Sequence, residues 1–214
     1  MAQRTIASLW GRIRDKLKQA SVPAKYLGTP GLSERQICKA EQMLGHRLPD
    51  DVRAFYLLHN GLPGLEIIPD VNIGELLPLV FKKYSVTLQT RSVISNWEFF
   101  KETSGNMDEK WIKPKGPIRK MEWSSDWLPL FDNTQGDHVF VDLNPPKGGS
   151  RGQLIDWWRA DGPKRILARS FRTLLERVAN DIERDRYVVE PSNFSVALIK
   201  KTVWKKMQER ERQT

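Results

Sequence analysis

Residues Trp127–Gly152, WLPLFDNTQGDHVFVDLNPPKGGSRG, constrain this chain more than any other stretch. Two short apolar runs, Trp127–Phe131 and His138–Leu143, flank the polar segment Asn133–Asp137. Runs rich in aromatic and β-branched residues, separated by Asn, Gly and Asp, predict two antiparallel strands joined by a turn. Asn144-Pro145-Pro146 ends the second strand, because proline has no N–H to give to a ladder. After the flexible Lys147–Gly152, Gln153–Arg159 predicts a third strand and Asp161-Gly162 a turn. A sheet started this way needs other elements to cover its apolar side.

Helices supply that cover. Over residues 4–20, Ile6, Leu9, Trp10, Ile13 and Leu17 recur at three- and four-residue spacing with Arg and Lys opposite, the pattern of an amphipathic helix. Ser21-Val22-Pro23 ends it, and a connector runs to Gly31. Leu32-Ser33-Glu34-Arg35-Gln36 predicts a capped helix start: Ser33 caps, Gln36 reaches back and Leu32 staples. Ile37, Ala40 and Leu44 line one face, and Gly45 suits the left-handed stop. Pro49 opens a second helix with Val52, Phe55, Tyr56 and Leu58 inward, stopped by Asn60-Gly61.

Leu65–Val80 reads as short strands and turns, and Ser92–Phe100 as a helix with Val93, Trp97 and Phe100 on one side. Residues 101–126 read as an irregular loop or insertion. Ser170 caps a helix over Phe171–Asp185, with Phe171, Leu174, Leu175, Val178 and Ile182 buried. A last helix is expected near Phe194–Glu209, with Val196, Ile199, Val203 and Met207 on one face and lysines opposite. The order helices, strands, helices predicts an α+β domain over 32–186. The basic helix and connector of 1–31 and the basic helix of 187–214 are then additions to it.

Charge divides along the same lines. Residues 1–31 carry six bases against one acid, and residues 194–214 six bases against two acids, so the body between is formally neutral within a net charge of +9. A nucleic-acid-binding domain carries its positive stripe on the body, so nucleic acid is the less favoured partner. The basic ends are read as a solvated face on docked helices. The alternatives are attraction to an acidic protein, through Lys200, Lys201, Lys205 and Lys206, or phosphate contact with nucleic acid or lipid. Cys38 is the one cysteine, so no disulfide forms within the chain. The N-terminus is too charged for a signal peptide and no run reaches the roughly 18 apolar residues of a membrane span. The expected setting is the cytoplasm.

No catalytic or metal chemistry is legible. His46, His59 and His138 lack ligand pairing. Asp132, Asp137 and Asp142 recur every five residues, whereas a calcium loop needs oxygens at alternate positions. There is no G-x-S-x-G elbow, and Cys38 reads as a small buried residue of its helix. Gly148–Gly152 lacks the Lys-Ser/Thr ending of a phosphate loop and leads into a strand. No catalytic residue, metal or cofactor is expected. The eight tryptophans carry more information. Strand alternation sends Trp157 and Trp158 to opposite faces, so one of them leaves the main core. Trp111 and Trp123 lie in the irregular segment, either as interface anchors or packed beneath the loop.

The chain resembles the SUKH superfamily, in its Smi/Knr-like branch of fungal cell-wall-assembly regulators. The matching pieces are Leu32-Ser33 leading to Glu41, then Leu44-Gly45, Leu48-Pro49, Phe55-Tyr56 and His59-Asn60-Gly61. Trp127-Leu128-Pro129-Leu130, Gly136-Asp137, Val141–Pro145, Gly152-Gln153-Leu154, Ser170-Phe171 and Leu174-Leu175 follow, so the resemblance covers 32–186. It implies an α+β fold with a central, largely antiparallel sheet flanked by helices, and no catalysis. It also implies a protein-binding module, expected first as an immunity protein that neutralises a cognate toxin and alternatively as a regulatory scaffold of cell-wall synthesis. The contact surface expected for the toxin is the hairpin bearing Asp132, Asp137 and Asp142, with Trp111, Trp123 and Trp158.

Overall fold

The computed structural model describes residues 5–68, 74–77, 92–192 and 195–212. Helix α1 (Ile6–Gln19) begins where the Thr5 hydroxyl accepts from Ser8 N, and Ile6, Leu9, Trp10, Ile13 and Leu17 are buried as the periodicity requires. A single 3-10 turn (Ala24–Tyr26) leads to α2 (Glu34–Leu44). There Ser33 and Gln36 form the reciprocal capping box. Gly45 closes α2 at φ 69°, a conformation cheap only for glycine. Helix α3 (Asp50–Leu58) turns back with Pro49 at its cap and Val52, Phe55 and Tyr56 buried. Leu58 lies on its outer side instead, because the inward arc is already filled by the two aromatic rings.

Strands β1 (Leu65–Ile68) and β2 (Glu75–Leu76) follow, and positions 69–73 and 78–80 of the expected Leu65–Val80 strand-and-turn region lie outside the described residues. Helix α4 (Val93–Thr103) carries a second capping box, Ser92 with Ser95. Strands β3 (Trp127–Asp132), β4 (His138–Asp142) and β5 (Gln153–Trp158) sit where the alternation and turn residues place them. Two features differ from the sequence reading. The turn at Asp161-Gly162 leads into a further strand, β6 (Gly162–Ala168). Its Pro163 obscured it, yet β6 is an edge strand, the one sheet position where a missing N–H costs little.

Helix α5 (Phe171–Glu183) is capped by Ser170 as expected. After it, the chain forms a hairpin, β7 (Tyr187–Pro191) and β8 (Val196–Lys200), and only then helix α6 (Lys201–Glu211). The helix expected from Phe194 is therefore corrected: Val196–Lys200 is a strand, and helix starts at Lys201. The spacing of Val196 and Ile199 fits a helix, but β8 finds a parallel partner in β1, with Leu65 opposite Val196 and Ile68 opposite Ile199. Burying Val196, Leu198 and Ile199 there outweighs the local pattern.

The strands form one sheet in the order β6-β5-β4-β3-β2-β1-β8-β7. Its pairs are antiparallel except β1 with β8, among the described residues. Both faces are covered. Leu128, Leu130, Val139, Val141 and Leu154 point into a large core shared with α1, α2, α3 and α5. Trp127, Phe140, Ile155 and Trp157 point the other way, into a smaller core completed by Phe100 of α4 and Ile118. Two buried faces make β3 and β4 buried along their whole length. Of residues 101–126, the first three finish α4 at Thr103, and 104–126, without a helix or named strand, are the lid on that smaller core. The Trp157 indole donates to Glu122 O (2.7 Å), the Trp97 indole to Ser125 O (3.0 Å), and Glu122 Oε2 accepts from Gly105 N and Met107 N.

Candidate functional site

The two motif segments meet at one end of the sheet. The loop between α2 and α3 is held from within, as the Glu41 carboxylate accepts from Leu48 N (3.0 Å). This sets Pro49 against the loop between β4 and β5. Gly152, at φ +90°, leaves room for it: a Cβ there would lie 3.3 Å from the Pro49 ring. The β4–β5 loop is braced by Gln153, whose Oε1 accepts from Ser150 N (3.1 Å) while Nε2 donates to Pro117 O and Asp142 Oδ2 (2.9 Å each). Asp142 Oδ1 accepts from Asn144 N (3.1 Å).

A second carboxylate gathers three segments. Asp126 accepts from Arg119 (2.8 Å) and Asn144 (3.0 Å), and His46 Nε2 lies 3.5 Å away. Asp51, in the first turn of α3, accepts from Arg172 N (2.8 Å) and so joins the starts of α3 and α5. Arg151 reaches across to donate to Arg47 O (2.6 Å). Between these groups lies an open polar cleft of about 630 Å³, lined by Arg47, Leu48, Pro49, Asp50, Asp51, Arg151 and Arg172. Its guanidinium forks and carboxylates are suited to charged hydrogen bonds. Among the described residues no group of three His, Cys, Asp or Glu is placed to hold a metal. Cys38 is exposed rather than buried, with Sγ 3.7 Å from the Arg53 guanidinium. His59 is structural: Nδ1 donates to Thr29 O (2.9 Å) and the ring packs on Trp10 and Phe55.

The expected contact residues scatter. Trp111 (65% exposed) and Trp158 (39%) are on the surface, while Trp157 is inside. The ammonium of Lys110 lies 5.5 Å from the Trp111 ring centre, and that of Lys164 5.0 Å from Trp158. Trp123 is packed instead, stacked on Phe100 at 6.1 Å and against Trp97 at 6.2 Å, where it touches both cores. The acidic hairpin patch does not form. Asp132 and Asp142 are buried, and Asp132 accepts from Thr134 N within the turn (2.6 Å). Asp137 is half-buried, accepting from Arg159 N and Asn133 Nδ2 (3.0 Å each). In tight turns these carboxylates answer backbone N–H groups, so they turn inward. Lys200 pairs with Asp181 (3.4 Å) and Lys201 with Asp185 (2.6 Å), while Lys205 and Lys206 are exposed on α6. The cleft residues Arg47, Asp51, Arg151 and Arg172 were not singled out in the sequence. The one local signal was Asp50-Asp51 behind Pro49, which reads as ordinary acid placement in a first helical turn.

Burial holds the Asp142 carboxyl above the ordinary carboxylate range, against the opposing pull of its bonds to Asn144 N and Gln153 and the charge of Arg119. A raised folded-state value means that the folded chain binds this proton more tightly than the unfolded chain. Its contribution to stability is therefore full below about pH 4, the ordinary carboxylate value, and is lost as pH rises through the raised one. Urea denaturation across that window should show a fall in stability that is smaller in Asp142→Asn. Identical pH profiles in the two proteins would disprove the assignment.

A model of the SMI1 / KNR4 family (SUKH-1) matches residues 31–177. The chain is 23% identical over 188 residues to the cell wall assembly regulator SMI1 of Saccharomyces cerevisiae, covering 75% of this chain and 37% of that protein. It is 23% identical over 231 residues to the glucan synthesis regulatory protein of Neurospora crassa, covering 90% of this chain and 41% of that one. It is 31% identical over 86 residues to the cell wall biosynthesis/cell cycle regulator smi1 of Schizosaccharomyces pombe, covering 40% of this chain and 17% of that one. The chain thus spans less than half the length of each of these relatives.

Proposed function

Because the chain belongs to the SMI1 / KNR4 family (SUKH-1), we propose that it is a regulator of cell-wall assembly that works by binding other proteins rather than by catalysis. The observation that carries this reading is the naming of its relatives as regulators of cell-wall assembly and glucan synthesis. The matched region also contains Arg47, Asp51, Arg151 and Arg172, the charged lining of the cleft. An open cleft lined by guanidiniums suits a partner's acidic or hydrogen-bonding side chains. The toxin-immunity reading has less behind it. None of the relatives described above is named as an immunity protein, and the carboxylates expected to meet a basic toxin are turned into the hairpin. Among the described residues no helix is long and apolar enough to cross a membrane.

Deleting the gene in its host of origin and challenging the cells with an inhibitor of glucan synthesis tests the proposal. Hypersensitivity should appear, and the wild-type chain should reverse it. The double variant Arg47→Ala/Arg151→Ala changes two exposed side chains and should fold normally yet fail to reverse it. Normal growth of the deletion strain under that challenge would refute the regulatory role. Protection against a co-expressed toxin, without any wall phenotype, would restore immunity as the reading.

A further inference from the structure

Strand β5 ends on two tryptophans, and only Trp157 enters a core. Trp158 stays at the surface, yet it is held in place. Its indole Nε1 donates to Asp156 Oδ1 (2.9 Å), two residues back on the same face of the strand. The other oxygen of Asp156 accepts from Nε of Arg165 (3.1 Å), its cross-strand partner on β6. Asp156 is buried, whereas the Arg165 side chain is 45% exposed. One buried carboxylate therefore fixes an exposed indole and an exposed guanidinium beside each other. Burying an acid costs folding energy unless it is well bonded, and here both bonds go to side chains outside either core. A β-bulge between Asp156 and Trp157 makes Lys164 the extra residue of β6, and its ammonium sits over the Trp158 ring.

We propose that Trp158 and Arg165 anchor a docking surface for an acidic, aromatic-bearing segment of a partner protein. The complementarity lies in which groups are already engaged. Both acids of the cluster are taken, Asp156 by the indole and guanidinium, and Asp161 by Lys164 Nζ (2.7 Å). The two terminal nitrogens of Arg165 have no acceptor among the described residues. The surface thus offers a donor fork beside a ring, which fits a carboxylate next to an apolar side chain. Tryptophan and arginine are the side chains that most often carry protein–protein contacts, and fixing them beforehand spares the entropy of ordering them on binding. A nucleic acid backbone fits less well, because it takes a stripe of cations and the body of the chain is formally neutral. Trp158 lies at the end of β5 opposite Gln153, roughly 17 Å along the strand, so this surface is separate from the arginine-lined cleft. The proposal rests on the reading that the chain binds other proteins, and not on cell-wall regulation.

Titrating the isotope-labelled full chain with an end-blocked Glu-Tyr-Glu-Phe peptide, followed by heteronuclear NMR at physiological salt, tests it. The Trp158 indole N–H signal, identified by its loss in Trp158→Phe, and the Arg165 Nε–H signal should shift together and saturate. The Gln-Tyr-Gln-Phe counterpart should leave both in place. Arg165→Lys keeps the charge but not the fork and should weaken binding about tenfold. Trp158→Ala should weaken it about 30-fold. Trp158 is exposed, so that variant should keep its melting temperature, and its result stands even if Arg165→Lys unfolds. Arg47→Ala/Arg151→Ala should bind as wild type. Because the peptide needs no host protein, its binding and the wall phenotype can fail separately. Absence of shifts with the acidic peptide, equal shifts with its amide counterpart, or undiminished binding by Trp158→Ala would overturn the proposal. So would a larger response of the same signals to an oligouridylate, which would make the pair a phosphate site.

Discussion

Trp10→Ala lowers the folding stability by about 3–5 kcal/mol, the cost of emptying a large aromatic site in a packed core. Trp10 is 1% exposed, and its ring meets Phe55 edge-on at 5.8 Å and His59 at 5.9 Å. Phe55 in turn meets Phe171 of α5 at 5.3 Å, so the loss reaches three helices. Typical domains have only about 5–15 kcal/mol in total, so the variant should show a large shift of the denaturation midpoint. Trp10→Phe should cost far less. Among the described residues the buried Trp10 indole N–H has no acceptor, so phenylalanine gives up ring area but removes an unpaired donor. A stability within about 1 kcal/mol of wild type for Trp10→Ala would show that α1 is an appendage, contrary to its packing here.

The second large effect belongs to the smaller core. Phe100→Ala should also cost about 3–5 kcal/mol. The Phe100 ring contacts Phe140 (5.0 Å), Trp157 (5.1 Å) and His138 (5.0 Å) edge-on and stacks on Trp123. It is the piece that fastens the end of α4 and the irregular 101–126 segment to the outer face of the sheet. Its removal should therefore also expose that segment. Limited proteolysis should cut within 101–126 before the rest of the chain, and mass spectrometry of the fragments locates the cut. Uniform digestion, or unchanged resistance, would mean that the segment is held by hydrogen bonds such as those from the Trp157 and Trp97 indoles to Glu122 O and Ser125 O, and not by this ring.

These two positions also mark the boundary between what was legible in the sequence and what was not. Trp10 sits in a stripe whose spacing alone placed it inward. Ser33 with Gln36, Gly45 and Ser170 announced helix ends, because caps and left-handed stops are decided within a few residues. The β3–β4 turn was readable for the same reason. Trp123 was left between interface and packing, since nothing near it in sequence says that Phe100 and Trp97 will stack on it. Pro163 hid β6 because a proline is tolerated only when the strand is at an edge, and edges are a property of the assembled sheet.

The sequence by itself determined the α+β class, the helix caps, the α2–α3 hairpin and the central antiparallel strands. All of these rest on interactions between residues close along the chain. Only the tertiary structure decided that Val196–Lys200 is a strand, that Asp132 and Asp142 turn inward, and that Pro49 meets Gly152 while Asp51 accepts from Arg172 N in the first turn of α5. Each of these depends on a partner far away in sequence. Burial against that partner, worth kilocalories, overrides local preferences worth tenths.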